Sequence, residues 1–474
     1  MSTIAAISSP IGAGGIGIVR VSGDEALRIA DAIFNFAHNT RAHACVNNNV
    51  ADGNNTADSN NVADSDTVRR EQAWEPLHMH YGTFVADDFT DKGYAVYFPA
   101  NRSYTGEDTV EFYLHGGVRI VKGALDTILI RGAVQAGRGE FTKRAFLNGR
   151  LSLADAEGVI DMINAESAAG LRAAYRLMDG ELAKKINALL ERLGGLIATL
   201  EATLDYPDEM EDEVLPSLPK ETAYLINEVN AMLSSARNGK IAKYGLNVVL
   251  AGKTNAGKSS LMNALLKYDR AIVTPIAGTT RDTVEDSFEC DGVKINLIDT
   301  AGIRQSDDVV EAQGIARARR AYEGADVILH VIDKSARGSN RLFDGMEDID
   351  LNGKMIFTVY NKCDEYGFAI PRMANTFGVS AKTGEGVDML AKSIAALYRS
   401  NSVEGGELIT NERHISALYQ AKTALENAFA SLNDTIDCTL IDLRRAYDAL
   451  GEITGKTAKE DVVDSIFDKF CVGK

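Results

Sequence analysis

The chain has 474 residues, 45% of them apolar and 25% charged, enough for roughly three domains with buried cores. A formal net charge of -17 argues against a protein that coats nucleic acid by electrostatics alone. Five cysteines (Cys45, Cys290, Cys363, Cys438 and Cys471) lack disulfide or metal spacing and fit reduced thiols in a cytoplasmic protein; neither a basic leader nor a long apolar run points to export or a membrane.

Residues 1–148 carry short alternating or apolar runs between glycines, such as "GIGIVRVSG", "YAVYFPA" and "TVEFYLHGG", and read as an α+β domain. Within it, residues 39–71 are rich in Asn, Asp and Ala and nearly free of large apolar groups. They cannot bury enough surface to offset their ordering entropy and are expected to be a disordered insertion. "GAGGIG" meets the dinucleotide pattern at Gly12, Gly14 and Gly17, but a strand follows it instead of a helix, so no Rossmann site is expected. "HGG" at His115 lacks the nucleophile elbow of an esterase.

Long helical patterns occupy 149–245, broken by the acidic "YPDEMEDEVLPSLP", and helices return over 401–474. The block 246–400 alternates strand and helix. The economical arrangement inserts an α/β domain into a discontinuous helical domain whose halves meet in space.

"LNVVLAGKTNAGKSSLMNALL" runs from an apolar strand through Gly252, Asn255, Ala256, Gly257, Lys258 and Ser259 into a helix, the G-x-x-x-x-G-K-[ST] pattern in its required context. Backbone N–H groups of such a loop wrap a phosphate chain, Lys258 neutralises the β- and γ-oxygens, and Ser259 holds Mg²⁺, with Ser260 among the nucleotide contacts. "AGTTRD", from Ala277, offers the Thr280 hydroxyl to the same ion. "KINLIDTAG" places Asp299 at a strand end as the acid behind the metal, with Thr300, Ala301 and Gly302 toward the γ-phosphate. "NKCD" gives Asn361, Lys362 and Asp364; a carboxylate there accepts two hydrogen bonds from guanine N1 and N2, a pair adenine cannot supply. Ser380, Ala381 and Lys382 bring backbone to the guanine O6. In order, each at a strand end, these motifs resemble the Ras-like translation-factor GTPases. The fold class expected is therefore multidomain α/β plus α, with an inserted Ras-like P-loop GTPase domain.

One departure is informative. Signalling GTPases follow "DTAG" with a glutamine that orients the attacking water; Ile303 stands there. Asn255, inside the phosphate loop, can hold a monovalent cation where an arginine finger would otherwise stabilise charge.

Motifs outside the nucleotide block are more specific. "GGIGIVRVSG", "YTGEDTVEFYLHGG", "GEFTKRAFLNGRLSLADAEGVIDMINA", "LDYPDE", "AIVTPIAGTTRD", "ERHISAL" and "FCVGK" resemble the MnmE (TrmE) family of tRNA-modifying GTPases over nearly the whole length. The resemblance implies a homodimer whose N-terminal domains pair and bind 5-formyltetrahydrofolate through Arg20, Glu111, Arg150 and Lys474, with Arg150 where the family usually has lysine. It implies a K⁺ site at Asn255, Thr274, Ile276 and Thr279, Mg²⁺ at Ser259 and Thr280, and nucleotide contacts along the same loop at Pro275, Ala277 and Gly278. The catalytic glutamate falls on Glu311, acting through a bridging water in place of the missing glutamine, and Cys471 falls near the one-carbon unit. Partners implied are GTP and GDP, tRNA, and a flavoprotein of the MnmG (GidA) kind, with no membrane. The product is an aminomethyl or carboxymethylaminomethyl group at C5 of the wobble uridine. Two rivals remain: a stand-alone GTPase timing ribosome assembly, which leaves "FCVGK" without purpose, and a nucleotide-gated scaffold with negligible turnover, suggested by Ile303.

Overall fold

The computed structural model describes residues 2–37, 74–206, 217–267, 286–299, 311–333, 354–365, 373–401, 409–433 and 436–474, without the side chains of 311–317, 399–401 and 433. The insertion expected at 39–71 lies outside the described residues. The chain divides into two compact units, residues 1–152 with 459–474, and residues 153–458.

In the first unit, β1 (Ile4–Ile7), β2 (Gly14–Ser22), β3 (Phe34–Phe36), β4 (Met79–Val85), β5 (Thr90–Phe98), β6 (Thr109–Gly116) and β7 (Val134–Gln135) form one sheet in the order β3-β4-β5-β6-β2-β1-β7. The pairs are antiparallel except β1 with β7. Alternation along β2 and β6 sends Val19, Val21, Val110, Phe112 and Leu114 to one face. There they are buried with Ile29 and Ile33 of α1 (Ala26–Ile33) and Val121 and Ile128 of α2 (Val118–Ile130). Each such side chain contributes about 1.5–3 kcal/mol when fully buried. The alternate positions face the other way, and the β2–β6 register sets Arg20 directly opposite Glu111. Of the "GAGGIG" glycines, Gly14, Gly15 and Gly17 lie within β2 itself, where the dinucleotide pattern would need a helix.

The last residues also belong to this unit. The helix Glu460–Phe467 lies against α3 (Glu140–Leu147), Lys143 Nζ donates to Asp464 at 2.5 Å, and Val472 bridges to Arg138. Phe467 and Phe470 are buried, their rings 5.5 Å apart. Gly473 holds φ +94°, and a Cβ there would meet the Ile7 carbonyl oxygen at 2.2 Å, so only glycine lets the tail approach β1 this closely. By contacts, residues 459–474 group with this first unit. Their aromatic side chains find their burial against α3.

The second unit starts with α4 (Leu153–Ile163), α5 (Ala168–Met178), α6 (Glu181–Asp205), α7 (Leu218–Ser234) and α8 (Ala236–Tyr244). A sheet follows: β8 (Leu246–Ala251), β9 (Asp286–Cys290), β10 (Val293–Asp299), β11 (Val327–Asp333), β12 (Met355–Asn361) and β13 (Thr376–Gly378), ordered β13-β12-β11-β8-β10-β9. Only β9 runs antiparallel to its neighbour. Its helices are α9 (Lys258–Leu266), α10 (Glu311–Gly324) and α11 (Val387–Asn401). The near-continuous apolar run of β8 is explained by burial on both faces: Val248 and Leu250 enter one core, Val249 and Ala251 the other. With β10 and β11 on its two sides, β8 ends at the switch point of a doubly wound sheet, where ligands bind.

Helices α12 (Glu412–Ala430) and α13 (Ile436–Thr454) then return to the earlier helices and share a core with them. Ile186, Leu190 and Leu193 of α6, Leu225 and Val229 of α7, and Leu418, Leu425, Leu443 and Leu450 line that one apolar core. The β9–β10 hairpin seats on α5 and the end of α8. Ala169 N–H donates to the Gly292 carbonyl at 2.8 Å, Asn296 Nδ2 donates to the Tyr244 carbonyl at 2.8 Å, and Lys294 pairs with Glu166. Among the described residues, no helix is long and apolar enough to cross a membrane.

Candidate functional site

The phosphate loop joins β8 to α9. Gly257 holds φ +89°, and a Cβ on it would lie 2.2 Å from Asn361 Nδ2, so the loop can close over the α9 N-terminus only with glycine there. Lys258 is 7% exposed, its ammonium donating to the Gly252 and Lys253 carbonyls at 2.9 Å each. Ser259 Oγ donates to Asp299 Oδ2 at 2.8 Å. A hydroxyl and a carboxylate this close form the hard-oxygen pair that suits Mg²⁺. Ser259, Ser260 and Asn255 are exposed, and Asn255 holds a left-handed backbone at φ +66°.

Asn361 joins three segments. Its Nδ2 donates to the Ala256 carbonyl at 3.0 Å, and its Oδ1 accepts from the N–H groups of Lys362 at 2.8 Å and Ala381 at 3.1 Å. It is 1% exposed, so these bonds satisfy a buried amide. Ser380 Oγ donates to Asp364 Oδ1 at 2.7 Å and accepts from Thr383 N–H. That hydrogen bond holds the Asp364 carboxyl below its ordinary range, keeping it an acceptor at neutral pH. Lys382 is exposed beside it. The structure thus brings together the phosphate loop, "NKCD" and "SAK" at the carboxyl ends of β8, β12 and β13. Thr274, Pro275, Ile276, Ala277, Gly278, Thr279 and Thr280 lie outside the described residues, as do Thr300, Ala301, Gly302 and Ile303. Glu311 opens α10, and its side chain is also outside them.

In the first unit, Arg20 Nε donates to Glu111 Oε1 at 2.7 Å and Tyr113 Oη donates to Glu111 Oε2 at 2.6 Å. Burial, reinforced by Glu111, pushes the Tyr113 hydroxyl up to about 12. The Arg20 guanidinium stands 5.4 Å from the Phe141 ring centroid, and Phe141 N–H donates to the Lys474 carbonyl at 3.2 Å, so the tail and the Arg20–Glu111 pair meet at Phe141. Arg150 donates to the Ser103 carbonyl at 3.1 Å, and Tyr104, next along that loop, donates to Thr142 of α3. Cys471 is exposed, and the four described cysteines form no disulfide among themselves. Tyr113 was missed by sequence reasoning; its signal was its place two residues beyond Glu111 on the same strand face.

A family model described as MnmE helical domain matches residues 153–471, and one described as GTP-binding protein TrmE N-terminus matches residues 3–69 and 56–150. The tRNA modification GTPase MnmE of Shouchella clausii is 37% identical over 492 residues, covering 100% of both chains. That of Geobacillus kaustophilus is 38% identical over 497 residues, covering 100% of this chain and 99% of its own. This chain belongs to the MnmE family. That of Bordetella petrii is 39% identical over 483 residues, covering 99% of this chain and 98% of its own. Among solved structures, the G domain of the T. maritima FeoB iron transporter aligns with 32% of this chain and 98% of its own at 25% identity and a TM-score of 0.23, an overlap too small to carry an argument. Family membership gives a common frame to two clusters: the motifs at the strand ends of the second unit and the Arg20–Glu111–Tyr113 cluster beside Phe141 of α3 in the first.

Proposed function

We propose that this chain is a GTP hydrolase, activated by K⁺ and acting as a homodimer, that supports formation of an aminomethyl or carboxymethylaminomethyl group at C5 of the wobble uridine of tRNA. It takes a one-carbon unit from 5-formyltetrahydrofolate and works in the cytoplasm with a flavoprotein of the MnmG (GidA) kind. The observation that carries the nucleotide part is the Asn361 amide, which ties the phosphate loop to both base-side segments. Mg²⁺ would be held by Ser259 and Thr280, with Asp299 behind them, and would neutralise charge on the phosphate oxygens. Asn255, exposed and left-handed, offers a hard amide oxygen to K⁺ together with Thr274, Ile276 and Thr279.

The folate part rests on Glu111. A carboxylate has about four acceptor sites, and bonds from Arg20 and Tyr113 leave capacity for the N–H pair of a pterin edge. Arg150 and Lys474 supply cations for a glutamate tail, and Cys471 is the thiol assigned to the one-carbon chemistry.

Two measurements test this reading. In cells lacking the chain, nucleoside analysis of tRNA should show loss of the C5 group, restored by the wild type and not by Arg20→Ala. Full restoration by Arg20→Ala would remove the folate assignment, and intact tRNA in the deletion would remove the function. GTP hydrolysis by the purified chain should be at least about tenfold faster in K⁺ than in Na⁺. Glu311→Ala should lower kcat about 10²-fold or more with GTP affinity largely kept. Equal rates in the two salts, or an active Glu311→Ala enzyme, would sink the mechanism.

A further inference from the structure

The sheet carries one strand-end acid that none of the nucleotide motifs contains. β11 ends at Asp333, and its parallel register with β12 sets Asp333 opposite Asn361. Its carboxylate accepts from Lys362 Nζ at 2.6 Å, in a pair whose side chains are 18% and 34% exposed. Lys362 itself holds φ +64°, a conformation that a residue with a Cβ rarely adopts. Its neighbours impose that turn. Lys362 N–H bonds Asn361 Oδ1 at 2.8 Å, the Lys362 carbonyl accepts from Glu365 at 3.1 Å, and Cys363 N–H reaches the Val379 carbonyl at 3.1 Å. Lys362 is therefore pinned at its backbone and again at its ammonium.

A lysine fixed at both ends loses its rotamer freedom before any ligand arrives. Its methylene stem then becomes an apolar ledge two residues from the base-reading Asp364. We propose that Asp333 is a positioning residue of the guanine site, holding the Lys362 ammonium so that the stem is ordered in advance for the flat face of the base. This rests on the guanine-nucleotide reading of the site. The saving falls on binding and not on phosphate cleavage, because ordering the stem removes a cost of association. The hydrogen bond that Lys362 donates to Asp333 also raises the lysine pKa above its ordinary value.

The test measures dissociation of a fluorescent N-methylanthraniloyl-GDP from the full chain with Mg²⁺, alongside steady-state GTP hydrolysis. Asp333→Asn should weaken the analogue about five- to tenfold, raise KM in step, and leave kcat within about twofold. Asp333→Glu should recover part of the loss, and it carries the same comparison should Asp333→Asn fold poorly. In a Lys362→Met background, which keeps an apolar stem without its ammonium, Asp333→Asn should have no further effect. Unchanged affinity in Asp333→Asn, an equal loss in the Lys362→Met background, or a fall in kcat at constant KM would overturn the assignment. A wild-type chain that binds no guanine nucleotide would instead overturn the reading of the site on which it rests.

Discussion

Asp364→Asn is expected to lower affinity for GTP and GDP about a hundredfold or more, with little change in thermal unfolding. Ser380 Oγ occupies one position on Oδ1 at 2.7 Å and holds the carboxyl ionised, leaving acceptor capacity for two base N–H groups. Asparagine presents one acceptor and one donor, so its NH₂ would face a guanine N–H donor to donor. A site built to hydrogen-bond one partner rejects a mismatched one steeply, because polar groups are left unpaired. Xanthine carries a carbonyl where guanine carries its amino group, and the variant should accept XTP in relative preference. Competition between GTP and XTP during hydrolysis reads both effects; unaltered GTP affinity would remove Asp364 from base recognition.

The second large effect lies in the helical core. Glu157 of α4 is clasped by Arg413 through Nε–Oε1 at 3.0 Å and Nη2–Oε2 at 2.6 Å, and by His414 Nε2 at 2.6 Å. Arg413 also donates to the carbonyls of Glu452 and of Ile453 near the end of α13. One ionic cluster thereby ties α4, α12 and α13, elements from both sides of the inserted sheet. His414 is fully buried, and its Nδ1 has no hydrogen-bond partner among the described residues. Glu157→Ala should destabilise the chain by about 3–5 kcal/mol, since it removes the carboxylate shared by the half-buried Arg413 and the fully buried His414. Urea unfolding followed by far-ultraviolet circular dichroism measures this, and a loss below about 1 kcal/mol would show that the cluster does not hold the helices together.

The same cluster sets a pH dependence. Burial pushes the Glu157 carboxyl up, but His414 and Arg413 outweigh it and bring the group down from 4.5 to about 2. A depressed folded-state value means stability that is present above pH 4.5 and lost as pH falls from there toward 2. By linkage it amounts to about 3 kcal/mol. Glu157→Gln, which has no carboxyl to titrate, should lack this acid limb.

The phosphate loop was legible because close backbone approach demands glycine at fixed places, which spacing alone reveals, as at Gly257. "NKCD" was equally legible as base chemistry. The tie from Asn361 to Ala256 was not, because it spans 105 residues and depends on the order of β8, β11 and β12. Arg20 and Glu111 were named through motifs, yet their contact follows only from the β2–β6 register across 91 residues. The resemblance brought Lys474 and Cys471 to the N-terminal domain, but the packing of the helix before them was not legible. A short amphipathic helix has the same local pattern whichever core receives it, and the choice is made by Arg138, Gly139 and Phe141, far earlier in the chain. Asp333 went unnoticed because an acid ending an apolar strand looks like ordinary strand termination until its lysine partner is in view.

One consequence follows from the seat of the β9–β10 hairpin. β10 is about 20 Å of extended backbone, gripped near one end by the helices through Lys294 and Asn296 and carrying Asp299 at the other. β10 is paired on both sides over Ile295–Leu297 and with β8 alone through Ile298 and Asp299. Sliding of the helices against the sheet is therefore expected to reach the Asp299 carboxylate through paired backbone as a push or a pull.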